Sequence, residues 1–243
     1  VGARAEDSSE LRTIGLIGGM SWESSAEYYR ILNEEARERL GGAHSCPCLL
    51  LSLDFARVEA LQHQGRWDEL GELMADSARS LACAGAQGLA ILTNTMHKFA
   101  DEVERAAGLP LIHIADAAGQ AAASAGFSRV GLLGTRFTME QDFYSARLAE
   151  RYGLDVRIPG EKDRELVHRV IYEELVLGRV LEASRRAYVE IIGRLGEAGA
   201  QGVVLGCTEI PLLVRQKDSP LPLFDTTRLH AEAIADFCLG PRA

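Results

Sequence analysis

Short apolar runs alternate with amphipathic stretches along nearly the whole chain. Residues 13–17 run apolar into Gly18-Gly19, the pattern of a strand buried on both faces. Residues 24–40 then carry Tyr28, Ile31, Leu32 and Leu40 among charges, which predicts a helix. The same reading predicts strands at 48–53, 88–92 and 109–114, with a helix at 67–84. In the second part it predicts a strand at 129–133 and helices at 138–152, 165–177 and 184–198. Strands at 203–205 and 221–224 and a helix at 229–238 follow. Strands separated by helices imply right-handed crossovers and parallel sheets. In such sheets ligands bind beyond the carboxyl ends of the strands.

The pattern repeats. Ala84-Gly85-Ala86-Gln87-Gly88 recurs unchanged at Ala198-Gly199-Ala200-Gln201-Gly202. Ile14-Gly15-Leu16-Ile17-Gly18 resembles Val130-Gly131-Leu132-Leu133-Gly134, and Leu109-Pro110-Leu111-Ile112 resembles Leu221-Pro222-Leu223-Phe224. The three offsets are 114, 116 and 112 residues, so collinear matches point to two related halves. The expected fold class is α/β, with two pseudo-symmetric αβα domains on parallel sheets and an active site in the cleft between them. The expected boundaries are a disordered tail at 1–10, a first domain of 11–108 with 216–243, and a second of 109–215.

Composition narrows the function classes. The chain has 243 residues and a net charge of −9, with basic residues scattered, which argues against a nucleic-acid partner. No apolar run reaches the ~18 residues of a membrane span, and no signal pattern opens the chain. Five irregularly spaced cysteines suit a reducing compartment, so a cytoplasmic location is expected. Cys46-Pro47-Cys48 lacks redox or zinc spacing, and no metal site is expected.

The chemistry gathers at the strand tips. In the repeat register Thr93 matches Cys207, a hydroxyl opposite a thiol. Cys207 begins a turn, where unpaired N–H groups favour a thiolate, and a free thiol titrates at about 8.5. Asn94 and Thr95 can donate to a carboxylate without charge, or serve as helix caps. His97 could tune acid-base chemistry or simply sit on a first helical turn. The Gly18-Gly19-Met20-Ser21 tip could offer backbone N–H groups to a ligand, but it is not a dinucleotide fingerprint. Thr135 and Thr138 form its counterpart in the second half. Thr208 and Glu209 flank Cys207, and Gln62 could hydrogen-bond a substrate polar group or lie on the surface.

The segments IGLIGGMSWESSAEYY, LTNTMHK, GLLGTRFTM, IYEEL and GCTEIPLL together resemble the aspartate/glutamate racemase superfamily. The resemblance spans residues 13–237, and TNTMHK is similar to a bacterial broad-specificity amino-acid racemase branch. It implies two αβα domains, a small amino-acid substrate, no cofactor and a homodimer. It also implies two proton-transfer groups on opposite faces of the α-carbon, here Thr93 and Cys207. Met20, Gln62, Asn94, Thr95, Thr135, Thr138, Thr208 and Glu209 are the corresponding substrate-binding candidates.

Two departures stand out. The first motif of typical members carries cysteine, where this chain has Thr93. Aspartate-preferring relatives resemble one another in a lysine at the position of Val176. Its absence favours a neutral or mixed substrate range that can include aspartate and glutamate, and Glu173 and Glu174 would repel an anion unless they face solvent. The alternatives are a decarboxylase or cis-trans isomerase of the same superfamily, or a catalytically weakened carboxylate-binding protein.

Overall fold

Apolar strands and amphipathic helices alternate through residues 11–241, the ones described by the computed structural model. The predicted tail at 1–10 lies outside them. The chain divides into two compact units. The first comprises residues up to Leu92, Phe99–Ile112 and the stretch from Ala231 onward; the second comprises Thr93–Lys98 and His113–His230.

The first unit contains β1 (Ile14–Gly18), α1 (Trp22–Leu40), β2 (Cys48–Ser52), α2 (Phe55–His63), α3 (Trp67–Cys83), β3 (Gly88–Ile91), α4 (Ala100–Ala107) and β4 (Leu111–Ile112). The second contains α5 (Ile114–Ser124), β5 (Arg129–Gly134), α6 (Arg136–Glu140), α7 (Asp142–Tyr152), β6 (Asp155–Arg157) and α8 (Glu161–Glu173). It continues with α9 (Glu182–Glu197), β7 (Gly202–Gly206), α10 (Ile210–Leu213) and β8 (Leu223–Asp225). The last helix, α11 (Thr226–Leu239), begins in the second unit and continues in the first.

The expected parallel sheets are present, one in each unit. Their strand orders are β2-β1-β3-β4 and β6-β5-β7-β8, and every pairing is parallel. The orders coincide when each strand of the first half is matched to its counterpart. The registers coincide too: Ile14 lies opposite Gly88, and Val130 opposite Gly202. The repeated letters therefore correspond to a repeated topology. Central strands β1 and β7 are buried along their whole length, as the apolar runs require. One hydrophobic core contains Ile14, Tyr28, Leu32, Leu92 and Ile234, and the other contains Val130, Leu148, Tyr188, Val204 and Leu213.

The repeated pentapeptide has a structural job. After α3, Gly85 N–H and Ala86 N–H return to the carbonyls of Ala82 and Leu81; after α9, Gly199 and Ala200 return to Gly196 and Leu195. Gly85 and Gly199 sit at φ 99° and 91°, where a side chain would strain the backbone. The glutamine that follows clips two strands together. Gln87 N–H donates to the Thr13 carbonyl at 2.8 Å, while its side-chain oxygen accepts from Thr13 N–H at 2.8 Å. Gln201 does the same with Arg129, at 2.9 and 3.0 Å.

Several details differ from the sequence reading. Residues 216–230, assigned there to the first domain, belong with the second because β8 pairs with β7. Residues 109–112 belong with the first because β4 pairs with β3. Residues 93–98 are held in the second unit by side-chain bonds given below. The predicted strand at 109–114 shrinks to two residues, since α5 already starts at Ile114. Strand β6 was invisible in sequence: Asp155-Val156-Arg157 has no apolar run and is defined by pairing with β5.

Gly199→Ala is expected to destabilise the protein by about 1–2 kcal/mol, the cost of forcing a side chain into a left-handed backbone. Gly193→Ala, inside α9 where an added methyl meets nothing within 4 Å, should instead stabilise it by about 0.5–1 kcal/mol. Urea unfolding midpoints of the two variants check the opposite signs.

Candidate active site

The second unit contains Cys207 and also the segment Thr93–Lys98 that follows β3. Thr93 follows β3 and keeps partial exposure, whereas Asn94, Thr95, Met96 and His97 are buried. Asn94 Nδ2 donates to Thr226 Oγ1 at 3.1 Å, and Thr226 Oγ1 donates onward to the Leu205 carbonyl at 2.7 Å. Leu205 lies in β7, two residues before Cys207. Thr95 Oγ1 lies 3.0 Å from Thr135 Oγ1 and 3.1 Å from Thr138 Oγ1, and those two hydroxyls are 3.2 Å apart. A Cβ on Gly206 would touch the Thr138 methyl at 3.3 Å. Lys98 Nζ donates to Gln141 Oε1 at 2.8 Å. The threonine tip is thus fastened to the structure that carries the cysteine tip.

Asn94 and Thr95 do not serve as side-chain caps. Asn94 Oδ1 is buried and has no hydrogen-bond partner, an acceptor left open at the tip. Thr135 caps α6, accepting from Thr138 N–H at 3.3 Å.

Cys207 is buried, and its Sγ donates to Glu209 Oε2 at 3.0 Å. Thr208 Oγ1 donates to the same oxygen at 2.9 Å. Burial pushes the Cys207 thiol well above its ordinary value, and the Glu209 charge and hydrogen bond push it further. The N–H groups of Glu209 and Ile210 pull the other way. The thiolate expected from the sequence rests on those N–H groups alone. The structure corrects it: desolvation and a neighbouring carboxylate outweigh the turn dipole, so Cys207 rests as a thiol with its proton on the Glu209 side.

Three histidines lie behind the threonine tip. Ile114 N–H donates to His97 Nε2 at 3.2 Å, so the neutral ring carries its proton on Nδ1, which donates to the Thr93 carbonyl at 2.8 Å. The His97 ring centroid is 4.4 Å from that of His113 and 5.7 Å from that of His230. Burial, then His113 and His230, hold His97 well below its ordinary value. His113 is pushed down to about 2, by burial first and then by Arg147, His230 and Arg151. Its Nδ1 accepts from Ala115 N–H at 3.1 Å, capping α5.

The remaining predicted residues, Met20 and Gln62, belong to the first unit and are both buried. Gln62 lies within α2 and is not a surface glutamine. At the first tip, Gly19 N–H already donates to Ser25 Oγ at 2.8 Å, and Ser21 caps α1. That N–H group is committed within the fold. Thr226 and His113 were missed from sequence. Extending the Leu109/Leu221 repeat by one residue pairs His113 with Asp225, and the two act alike: Asp225 accepts from Thr227 N–H at 3.0 Å as His113 accepts from Ala115 N–H; Thr226, paired with Ile114, carries no such signal. Among the described residues, no three His, Cys, Asp or Glu side chains gather as a metal site. No described helix is long and apolar enough to cross a membrane.

Two like-folded α/β units with a thiol and a hydroxyl at equivalent strand tips define a class of duplicated two-unit proteins. Residues 17–234 match the Asp/Glu/Hydantoin racemase family, and the chain belongs to that family. A solved structure from Yersinia pestis, provisionally named an Asp/Glu racemase, is 50% identical with a TM-score of 0.88, covering 94% of this chain and 100% of that one. An aspartate racemase homologue from Pyrococcus horikoshii is 32% identical with a TM-score of 0.79, covering 94% and 99%. A glutamate racemase from Pseudomonas paraeruginosa is 31% identical over 132 residues, 53% of this chain and 48% of that relative.

Glu209→Gln should shift the alkylation of Cys207 by iodoacetamide to lower pH, because the charge opposing its thiolate is removed. Peptide-resolved mass spectrometry across a pH series checks this; an unchanged profile would refute the Glu209 influence. A second expectation concerns His113, neutral when folded and titrating at about 6.5 when unfolded. Below that value the unfolded chain binds the extra proton. His113 therefore lowers stability by up to about 1.4 kcal/mol per pH unit as pH falls from about 6.5 towards its folded value, and has no such effect above. Urea unfolding at several pH values should show a shallower acid slope for His113→Asn than for the parent, and equal slopes would contradict this.

Proposed function

We propose that this protein is a PLP-independent amino-acid racemase that inverts the α-carbon by removing a proton on one side and returning one on the other. The observation that carries the reading is the linkage of the Thr93 and Cys207 tips inside one unit through Asn94, Thr226 and Leu205. A thiol bonded to a buried carboxylate supports Cys207 as one of the two groups. In this reading the Cys207 proton passes to Glu209 in a minor, activated form that substrate binding stabilises, and the thiolate of that form takes the α-proton. Neutral hydroxyls of Thr95, Thr135 and Thr138 bind the substrate carboxylate and steady the charge that develops on it, while the Thr208 hydroxyl holds Glu209. The open Asn94 Oδ1 accepts from the substrate ammonium.

Thr93 is the unusual partner. A threonine hydroxyl is scarcely ionised at neutral pH, so it is a weak base, yet it can donate or relay a proton to a carbanion-like intermediate. For free enantiomers the equilibrium constant is one, so kcat/KM must be equal in both directions. A slow Thr93 step lowers both together. It leaves α-proton exchange on the Cys207 side comparatively fast.

The substrate range in this reading is broad and includes neutral amino acids, with aspartate and glutamate as further substrates. Val176 is a partly buried apolar residue packed against the second core, which supports the lack of a dedicated cation for a side-chain carboxylate. Glu174 accepts from Ser184 Oγ at 2.5 Å, and Glu173 is exposed, so neither acid need oppose an anionic substrate. A cytoplasmic homodimer acting without a cofactor completes the proposal.

Incubation with L- and D-amino acids in D2O tests it, with deuterium at the α-carbon followed by NMR and enantiomers by chiral chromatography. Inversion with deuterium uptake is expected, and Cys207→Ser should lose about 10²–10⁴-fold. Thr93→Cys should raise inversion by about tenfold for both enantiomers. If no amino acid exchanges while an arylmalonate loses carbon dioxide, the chain is a decarboxylase instead. Binding without turnover, insensitive to Cys207→Ser, would leave a carboxylate-binding protein.

A further inference from the structure

We propose that His97 is a positioning residue for Thr93, its imidazole fixing the backbone that presents the threonine hydroxyl by bridging the Thr93 carbonyl to the Ile114 N–H. The inference rests on the reading of Thr93 as a proton-transfer group.

The strand ladder explains why such a bridge is needed. The last backbone bond of β3 runs from Leu92 N–H to the Ile17 carbonyl at 2.9 Å. Thr93 is the next residue, and its carbonyl has left the sheet. A partly buried carbonyl that has left the ladder is stabilised by a new donor. In the second half the turn itself supplies one, because Ile210 N–H donates to the Cys207 carbonyl at 3.2 Å. In the first half the corresponding carbonyl takes its bond from His97 Nδ1 at 2.8 Å. Applying the 114-residue offset to position 97 gives Pro211, which has neither an imidazole nor an N–H. The histidine is therefore particular to the threonine side of the duplication.

The other nitrogen anchors the ring. Ile114 is the first residue of α5, and its N–H is one of those that a helix start leaves unsatisfied. His97 Nε2 accepts that N–H at 3.2 Å. Packing against His113 and His230 fixes the ring plane, and the side chain is 2% exposed. With both nitrogens engaged by backbone, the imidazole has neither a free lone pair nor a free proton for the substrate. It acts through Thr93 and through the frame it gives to residues 93–98.

The two bonds can be separated by substitution. His97→Asn places an amide donor near Nδ1 and is expected to keep the Thr93 bond. His97→Gln places an amide oxygen near Nε2 and keeps only the Ile114 bond. The readout is the ratio of α-deuterium exchange to inversion in D2O, with L-alanine, L-glutamine and L-aspartate as probes. His97→Gln should raise this ratio by about fivefold or more, while His97→Asn stays within about twofold of the parent. Equal shifts in both variants, or a ratio unmoved by either while Thr93→Ala raises it, would overturn the role of His97. If Thr93→Ala itself leaves the ratio unchanged, the role of Thr93 is what fails. Imidazole 15N NMR of the intact protein gives a check independent of variant folding. It should show a protonated Nδ1 and a bare Nε2 for His97, and the opposite tautomer would sink the proposal.

Discussion

One glutamine in each half ties the beginning of the first strand to the beginning of the third. Gln87 grips Thr13 and Gln201 grips Arg129, each through its own N–H and its side-chain oxygen. This double bond sets where β1 meets β3 and β5 meets β7, and parallel register then propagates along both strands. The position at which each strand leaves its sheet follows from that register. Thr93 and Cys207 are the residues found there. The repeated pentapeptide carries no chemistry itself; its glycines turn the chain and its glutamine aligns the strands that do.

Burial then decides what those tips can do. A thiol at a turn gains from nearby N–H groups, but Cys207 also loses water and faces Glu209, and these two effects win. The result is a protonated sulfur already bonded to a proton acceptor. Around the threonine tip the same desolvation keeps His97 and His113 neutral. Neutral imidazoles can accept a backbone N–H, and both do. The surroundings of Thr93 are thus built from uncharged hydrogen bonds, while those of Cys207 contain a carboxylate. The two tips are equivalent in topology and unlike in electrostatics.

Much of this was legible in the chain. The central strands were visible because burial on both faces demands unbroken apolar runs, as in Ile14–Gly18 and Gly202–Gly206. The duplicated topology was visible because the capping glycines and clipping glutamines answer to local geometry, which recurs with the letters. The edge strand Asp155–Arg157 left no trace, since an edge strand needs no apolar run. Thr226 was overlooked because nothing in the neighbouring letters marks it, and only its distant partners Asn94 and Leu205 reveal its use. Residues 216–230 were placed with the wrong half because strand pairing is a long-range property that local pattern does not encode.

By itself the sequence determined the α/β class, the duplication, the family and the residues at the strand tips, because periodicity, turn chemistry and motif are local. Tertiary structure decided which unit carries segment 93–98, how the threonine hydroxyls cluster, and which nitrogen of His97 bears the proton. It also decided the protonation of Cys207. Each of these depends on groups far apart in the chain, or on water being excluded from around them, and neither is written in a run of neighbouring letters.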